Sequence, residues 1–207
     1  KIRKDTKMIA HIKGTLETKA ADYVVIDVGG LGYKVYISAT GMEKLGNIGD
    51  KVKVYTYYRV REDDISIFGF NSLEELRMFE LILSVSGVGA KTAQTIVALT
   101  NPSEFAIAII SDDISYLTQI PGIGAKSAQR IILELKDKMK KEKSITQTKN
   151  TKVKEAIVDS NKVEEAISAL QVLGYNKKEI EKAFMKLDKK DLSTEDLIRK
   201  GLTILAN

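Results

Sequence analysis

The chain has 207 residues, of which 43% are hydrophobic and 29% are charged, a composition typical of a globular protein. It contains no cysteine and a single histidine, His11, which excludes disulfides, thiolate metal sites, cysteine nucleophiles and paired-histidine zinc sites. No apolar run approaches the roughly 20 residues that span a bilayer, and we expect a cytoplasmic protein with no membrane partner.

The net charge of +5 is unevenly distributed along the chain. Residues 136–154 carry eight basic and two acidic side chains, whereas residues 71–135 carry four basic and seven acidic ones. Bulk charge is therefore weak evidence for a nucleic-acid partner. The basic segment before Met8, the first methionine, is excluded from the fold prediction.

Residues 8–70 have the pattern of a small β-barrel. Five β-rich runs, IAHIKGTL, DYVVIDV, GYKVYIS, KVKVYTYY and DISIFGF, are separated by polar or glycine-rich breaks. In the fourth run Val52, Val54 and Thr56 alternate with other residues at the period of a half-buried strand. The stretch VGGLGY supplies the glycines of a hairpin. Five strands in so short a segment predict an OB-type barrel.

Residues 71–142 change to helical spacing and predict an all-α domain of about five short helices. Ser72 and Glu75 have the spacing of a capping box at the first helix start. Asn101 followed by Pro102 has the pattern of another helix start, with the asparagine as the cap.

The remaining chain divides into a linker and a small module. Residues 143–158 are polar and lysine-rich and predict a flexible linker. Residues 159–207 contain three amphipathic segments and predict a three-helix module, with Ser193 capping the last helix. The predicted fold class is therefore α+β and multidomain, with an N-terminal OB-type barrel, a central all-α domain, a linker and a C-terminal three-helix module.

Two similar stretches, VSGVGAKTAQTIVAL and IPGIGAKSAQRIILEL, lie 35 residues apart, as Gly87 and Gly122 show. Each places a GxG turn before a helix whose first turn carries a lysine. Glycine permits positive φ and close approach, while the unpaired first amides and the helix dipole attract anions. These donors cannot read base edges, so they predict sequence-independent DNA binding. The predicted DNA-binding residues of the repeats are Gly87, Val88, Gly89, Lys91, Thr92, Gly122, Ile123, Gly124, Lys126 and Ser127.

A structural alternative treats each GxG as a simple helix-to-helix turn with a solvated lysine. Duplication in register of Ala93 and Ala128, and of Gln94 and Gln129, together with the glycines and lysines, favours phosphate binding. Neither GVGAKT nor GIGAKS has the spacing of a Walker A loop, so we expect no ATP hydrolysis by this chain.

The paired GVGAK and GIGAK motifs resemble the helix-hairpin-helix motifs of DNA-binding proteins. With GGLGYKV in the barrel, the VREDDISIFGF hairpin, the linker and the terminal LGY, their order from Met8 to Leu205 resembles the RuvA family of Holliday-junction-binding subunits. The resemblance implies structure-selective binding of four-way junction DNA and no catalytic residue, cofactor or metal. It also implies a homotetramer or an octamer of two tetramers, and the RuvB ATPase motor and RuvC resolvase as partners.

The acidic segment from Arg61 to Asp64 lies between two strand patterns. A solvated turn is the ordinary interpretation, and a nuclease magnesium site would need carboxylates converging from several elements. The resemblance implies that Glu62 and Asp63 form an acidic pin at the junction centre and that Arg61 contacts phosphate. It assigns no role to Asp64.

The terminal module contains Leu170, Leu173, Tyr175 and Leu202 at the positions where the family docks its motor. The alternative is that these residues form the core of the module itself. Tyr175 follows Gly174 in a turn, so we expect its side chain to be exposed.

Two other functions remain open at this point. The first is a DNA-processing enzyme, a glycosylase or a nuclease, that uses the hairpins as a grip, with Asp137 as the candidate catalytic acid on a lysine-rich helix. The second is a protein-only scaffold, which would leave the duplicated phosphate sites unexplained.

Overall fold

The fold is taken from a computed structural model, which describes residues 8–146, 159–187 and 192–205. The chain divides into two compact units, one ending at Glu80 and one beginning at Leu81, and each is described by itself. The barrel, the helical region and the C-terminal helices predicted from the sequence are all present, which confirms the fold class.

The first unit is built on a closed barrel with the strand order β1-β2-β3-β5-β4. Neighbouring strands are antiparallel except for β3 and β5, which run parallel. Closure removes the exposed strand edges that small sheets otherwise present to solvent. The strands are β1 (His11–Lys19), β2 (Tyr23–Val28), β3 (Leu31–Tyr36), β4 (Lys51–Val60) and β5 (Ile65–Phe70), and a short helix α1 (Ala39–Glu43) follows β3.

Alternation of side chains along the strands fills the barrel. Val52, Val54 and Thr56 are buried, while the intervening residues of β4 are exposed or half-buried, as the period of two predicted. The hairpin between β2 and β3 turns at Gly29 and Gly30, whose φ angles are +66° and +91°. The interior is lined mainly by aliphatic side chains: Ile12, Leu16, Val24, Ile26, Val35, Ile37, Leu45, Val52, Val54 and Ile67.

The helix α2 (Leu73–Leu83) begins after β5 with half of the predicted capping box. The hydroxyl of Ser72 accepts a hydrogen bond from the Glu75 amide at 3.2 Å, but the Glu75 carboxylate accepts from the Asn71 amide at 2.9 Å rather than from Ser72. The Phe79 ring then packs against Phe70, with the ring centres 4.8 Å apart. The Phe79 ring also lies 5.6 Å from Phe68 and 5.2 Å from Tyr57, so this aromatic cluster attaches α2 to the barrel.

The second unit continues with four helices of the repeat region: α3 (Ala90–Leu99), α4 (Pro102–Ile110), α5 (Ile114–Thr118) and α6 (Ala125–Thr146). Counted with α2, they are the five predicted helices. Asn101 caps α4, as predicted, by accepting a hydrogen bond from the Ser103 amide at 3.0 Å. Asp113 caps α5 in the same way through the Tyr116 amide.

The helix α6 is longer than the sequence pattern predicted. It continues through Thr146 and so occupies the first four residues of the segment predicted as a linker from 143. Lysine and glutamate have high helix propensity, which explains the extension of a lysine-rich sequence as helix. The rest of that segment, residues 147–158, lies outside the described residues, as does the segment before Met8.

The C-terminal helices are α7 (Asp159–Val172), α8 (Lys177–Met185) and α9 (Thr194–Leu205). Ser193 accepts a hydrogen bond from the Asp196 amide at 3.1 Å, so the predicted cap of α9 is present. The helices approach closely at Gly201, where a Cβ atom would lie 2.8 Å from side-chain atoms of Leu170 and Phe184. Within the described ranges, no single helix is long and apolar enough to cross a membrane, although α3 and α4 pass that test as a pair bent by 105°.

Candidate nucleic-acid interface

The two GxG turns have the same backbone geometry. Gly87 has a φ of +81° and Gly122 a φ of +86°, a region that side chains other than glycine rarely adopt. In the first turn the Val88 amide donates to the Val85 carbonyl at 3.2 Å, and in the second the Ile123 amide donates to the Ile120 carbonyl at 3.0 Å. The sequence repeat is therefore a repeat of conformation as well.

Each turn leads directly into a helix N-terminus without a side-chain cap. Gly89 is the residue before α3, and as a glycine it has no side chain that could accept from the first amides. Gly124 occupies the same place before α6. The amides of the first helical turn therefore keep their hydrogens available for an external anion, which the helix dipole also attracts.

The predicted contact residues differ in accessibility. Lys91, Lys126 and Ser127 are exposed, and Val88 and Thr92 are half-buried. Ile123 is 6% exposed, so its side chain belongs to the hydrophobic core. The turn is thus anchored by an apolar side chain where the chain reverses, and the DNA contact predicted at Ile123 stays a prediction for its backbone.

The first turn adjoins the start of α6, the helix that follows the second turn, at a pocket of about 120 Å³. Residues of the first turn form one side of this pocket, and residues of the first turns of α6 form the other. A phosphate site was predicted at each turn, but this pocket between the first turn and α6 was not. The lining residues are Ser86, Gly87, Val88, Lys126, Ser127 and Arg130.

Arg130 and Ser86 are pocket residues that the sequence analysis missed. Arg130 lies four residues after Lys126 and so on the same face of α6. Its guanidinium donates to the Ser86 carbonyl at 3.5 Å, and a Cβ atom at Gly87 would lie 3.1 Å from it. The helical spacing from Lys126 was the signal that could have identified Arg130.

The acidic hairpin is a tight turn between β4 and β5. The Arg61 amide donates to the Asp64 carbonyl at 2.8 Å, which leaves Glu62 and Asp63 as the exposed tip. Asp64, to which no role was assigned, faces the base of the hairpin, where its carboxylate accepts from the Ser66 hydroxyl at 3.0 Å. It also lies 3.9 Å from the Arg59 guanidinium. Asp64 thus belongs to the support of the turn, and the two tip carboxylates are free to face a partner.

The candidate motor-docking residues are mostly in the core of the C-terminal module. Leu170 and Leu173 are at most 1% exposed, and Tyr175 is 4% exposed, so the expectation of an exposed tyrosine is wrong. Gly174, with a φ of +82°, reverses the chain so that the Tyr175 amide donates to the Leu170 carbonyl and the ring turns inward. Leu202 is half-buried and is the most accessible of the four.

The structure does not group acidic residues into an enzyme's catalytic or metal site within the described residues. Asp137 is exposed on α6. In the parts of the chain that the structure describes, no three histidine, aspartate or glutamate side chains are grouped so that they could hold a metal ion.

Comparison with known proteins accounts for nearly the whole chain. The model of the RuvA N-terminal domain matches residues 8–69, that of the SAM-like helix-hairpin-helix tandem matches residues 79–137, and that of the RuvA C-terminal domain matches residues 161–206. These boundaries coincide with the barrel, the repeat region and the C-terminal helices.

Three similar proteins carry the same name. The chain is 46% identical over 200 residues to the Holliday junction branch migration complex subunit RuvA of Acetivibrio thermocellus, covering 96% of this chain and 99% of the relative. It is 43% identical to the protein of that name from Ruminiclostridium cellulolyticum, covering 96% of this chain and 100% of the relative. Identity to the Clostridium perfringens protein is 41%, with 96% and 99% covered. On these similarities and on its domain order, the chain belongs to the RuvA family.

Proposed function

We propose that this chain is a non-catalytic DNA-binding subunit that binds four-way junctions by their structure, holds them open and serves branch migration in recombination and repair. The observation that carries the proposal is the pair of uncapped GxG turns of equal geometry, the first of which forms a pocket with the start of α6. Amide hydrogens and cations at the starts of α3 and α6 suit phosphate oxygens, which every DNA sequence presents alike. The proposal therefore predicts selection by shape and not by base sequence.

The binding residues divide between backbone and side chains. The amides that follow Gly89 and Gly124 donate to phosphate, and the cations Lys91, Lys126 and Arg130 neutralise it. Arg61, beside the acidic tip, contacts a further phosphate. Thr92 and Ser127 each follow one of these lysines in the first turn of α3 or α6, and their hydroxyls add hydrogen bonds to the same phosphates.

The acidic tip acts by repulsion. Glu62 and Asp63 are exposed side by side at the end of a hairpin whose base is tied by Asp64. Carboxylates that stand among phosphates repel the backbones of DNA strands and so keep separated strands apart. This role requires the tip to lie at the centre of the junction.

Assembly supplies the number of contacts that tight binding needs. A homotetramer presents eight GxG turns to four DNA arms, and an octamer of two tetramers encloses the junction from both sides. Summed phosphate contacts give affinity that falls steeply with salt. Such a protein works in the cytoplasm, the compartment that contains the chromosome.

The partners follow from the family. The RuvB ATPase supplies the motor, since the turns of this chain lack the spacing of an ATP-binding loop. It docks on the C-terminal module, residues 159–207, at a surface that includes Leu202. The RuvC resolvase acts on the junction while it is held open. Residues 8–70 form the barrel, the DNA-binding domain extends from residue 71 to the end of α6 at Thr146, and residues 147–158 connect it to the C-terminal module.

A salt titration of DNA binding tests the proposal. The affinity of the purified protein is measured for an immobile four-way junction and for a linear duplex built from the same arms. We expect the junction to bind at least tenfold more tightly at each salt concentration. Equal affinity for both would reject structure-selective binding and would mean that the repeat binds DNA without regard to its structure.

A further inference from the structure

Glu134 lies on the third turn of α6, one helical turn after the pocket residue Arg130. It is acidic, and its carboxylate accepts hydrogen bonds from the protein itself. Its carboxylate Oε2 accepts from the Ser86 amide at 3.0 Å and from the Ser86 hydroxyl at 3.4 Å. Ser86 immediately precedes Gly87, so this contact holds the first GxG turn directly. The backbone hydrogen bond from Ser86 holds the pKa of the Glu134 carboxyl below its ordinary value, and Lys138 and Arg130 lower it further.

Two other residues of α6 also bind the loop before the first GxG turn. Arg130 donates to the Ser86 carbonyl at 3.5 Å, and Lys138 donates to the Ser84 carbonyl at 2.6 Å. Arg130, Glu134 and Lys138 are spaced by four residues and therefore form one stripe along the helix. The stripe connects the helix that follows the second turn to the loop that forms the first turn.

The sequence repeat is broken at the two residues that make this contact. At a spacing of 35 residues, Ser86 corresponds to Pro121, which has no amide hydrogen to donate. Glu134 corresponds to Leu99, which is 55% exposed. The second turn therefore has no equivalent contact, and the contact from Glu134 to Ser86 is specific to the first turn.

We propose that Glu134 is a positioning residue that fixes the distance between the two GxG turns through the Ser86 amide, and so matches them to the spacing of phosphates on DNA. This inference rests on the proposed function. It assigns Glu134 no contact with DNA. The acidic side chain repels phosphate in itself, so its presence beside a phosphate pocket is explained by the hydrogen bonds it accepts.

A purely electrostatic role and a positioning role of Glu134 predict opposite changes in DNA affinity when the residue is replaced. If the residue were only a surface charge, its removal would raise DNA affinity, as removal of the exposed Asp137 carboxylate on the same helix should. If it positions the first turn, affinity falls when the contact with Ser86 is lost. This difference in sign makes the inference testable.

The main variant is Glu134→Asp, which keeps the charge and withdraws the carboxylate by one methylene from Ser86. We expect a roughly tenfold loss of junction affinity, because loss of one charge-assisted hydrogen bond loosens one of the two turns. The salt dependence of binding should also become shallower, since fewer phosphates are contacted together. Affinity equal to or above that of the wild type would overturn the inference.

Two further variants separate positioning from charge and from folding. Glu134→Gln keeps an oxygen acceptor in nearly the same shape and should recover most of the affinity lost in Glu134→Asp. The matched control Asp137→Asn removes a charge from the same helix and should leave affinity equal or slightly higher. A loss of affinity in Asp137→Asn as large as that in Glu134→Asp would also overturn the inference.

Measurements on the free protein keep the inference distinct from the proposed function. Hydrogen exchange of the Ser86 amide should be faster in Glu134→Asp, while the thermal unfolding midpoint stays close to that of the wild type. If the wild-type protein does not prefer the junction, the proposed function fails, and the exchange rate still reports whether Glu134 holds the turn. Unchanged exchange would refute the contact itself.

Discussion

Lys91 and Lys126 show how single residues gain a role from the backbone beside them. Both are exposed on the first turn of a helix that begins without a side-chain cap. A lysine elsewhere on the surface is a solvated charge, but at this position it adds to the amides and the helix dipole. The contribution that we propose for the two lysines to DNA binding therefore depends on their position and not on charge alone.

Replacement of both lysines by alanine tests this role. We expect Lys91→Ala with Lys126→Ala to weaken junction binding and to reduce the salt slope by about one for each lost phosphate contact. The matched control is Lys178→Ala with Lys182→Ala, which removes two exposed positive charges from α8. A salt slope that is unchanged in the first variant, or equally reduced in the control, would contradict phosphate contact at the turns.

Tyr116 gives a prediction for pH. Its hydroxyl donates to the Glu104 carboxylate at 3.2 Å and links α5 to α4. Burial and the negative charge of Glu104 raise the pKa of Tyr116 from the ordinary 10 to about 12. The folded state holds this proton more tightly than the unfolded chain, so the contribution to stability is complete below pH 10 and is lost as pH rises through about 12.

The measurement is a titration of tyrosine absorbance at alkaline pH. We expect the wild-type protein to show a late component near pH 12 that is missing from Tyr116→Phe. The same substitution should cost about 1 kcal/mol of unfolding free energy at neutral pH, because a single hydrogen bond is lost. A late component that persists in Tyr116→Phe would show that another of the eight tyrosines is responsible.

At the scale of an element, the residues that hold the acidic hairpin closed are different from those that form its exposed tip. The turn is closed by the backbone bond from Arg61 to Asp64, and Asp64 in turn contacts Ser66 and Arg59. Glu62 and Asp63 are exposed beyond this support. The charge of the tip can therefore be changed with little effect on the fold.

Neutralisation of the tip tests the repulsion mechanism. We expect Glu62→Gln with Asp63→Asn to bind the junction as tightly as the wild type or more tightly, because repulsion of phosphate is removed. Strand separation at the junction centre should decrease, as measured by the fluorescence of a base analogue placed there. Glu17→Gln with Asp22→Asn removes equal charge elsewhere on the barrel and should change neither quantity. Loss of folding in the tip variant would instead mark these residues as structural.

At the scale of the whole molecule, we propose that DNA binding and motor docking belong to different parts of the chain. The GxG turns lie immediately before α3 and α6, and the candidate docking residue Leu202 lies on α9. Within the second unit, α7 and α9 contact α4, so a truncation also uncovers part of that helix. A test of the division needs both a truncated chain and a point variant.

Truncation after Thr146 should keep junction binding within about threefold of the wild type and abolish stimulation of the motor's ATPase, because the phosphate sites remain and the docking module is lost. Thermal unfolding establishes whether the remaining helices fold. In the full-length chain, Leu202→Asp should produce the same loss of stimulation with normal DNA binding. Junction binding that disappears on truncation, in a folded protein, would contradict the separation of roles.

The features that the sequence predicted well depend on residues adjacent in the chain. The strand alternation at Val52 and Val54, the cap at Asn101 and the two GxG turns are local, since each needs only neighbouring residues to choose a backbone conformation. The family resemblance rested on the order of such local motifs. The extension of α6 to Thr146 was missed because a solvated lysine-rich sequence has no apolar period to mark its end.

The tertiary structure decided which distant residues meet. Glu134 and Arg130 reach Ser86 across 48 and 44 residues of sequence, and only packing of α6 against the loop before α3 brings them there. Tyr175 turned out to be buried because the chain reverses at Gly174 into the core between the last three helices. Long-range contacts of this kind depend on how helices pack, and one turn of local sequence carries no information about the partner that the packing supplies.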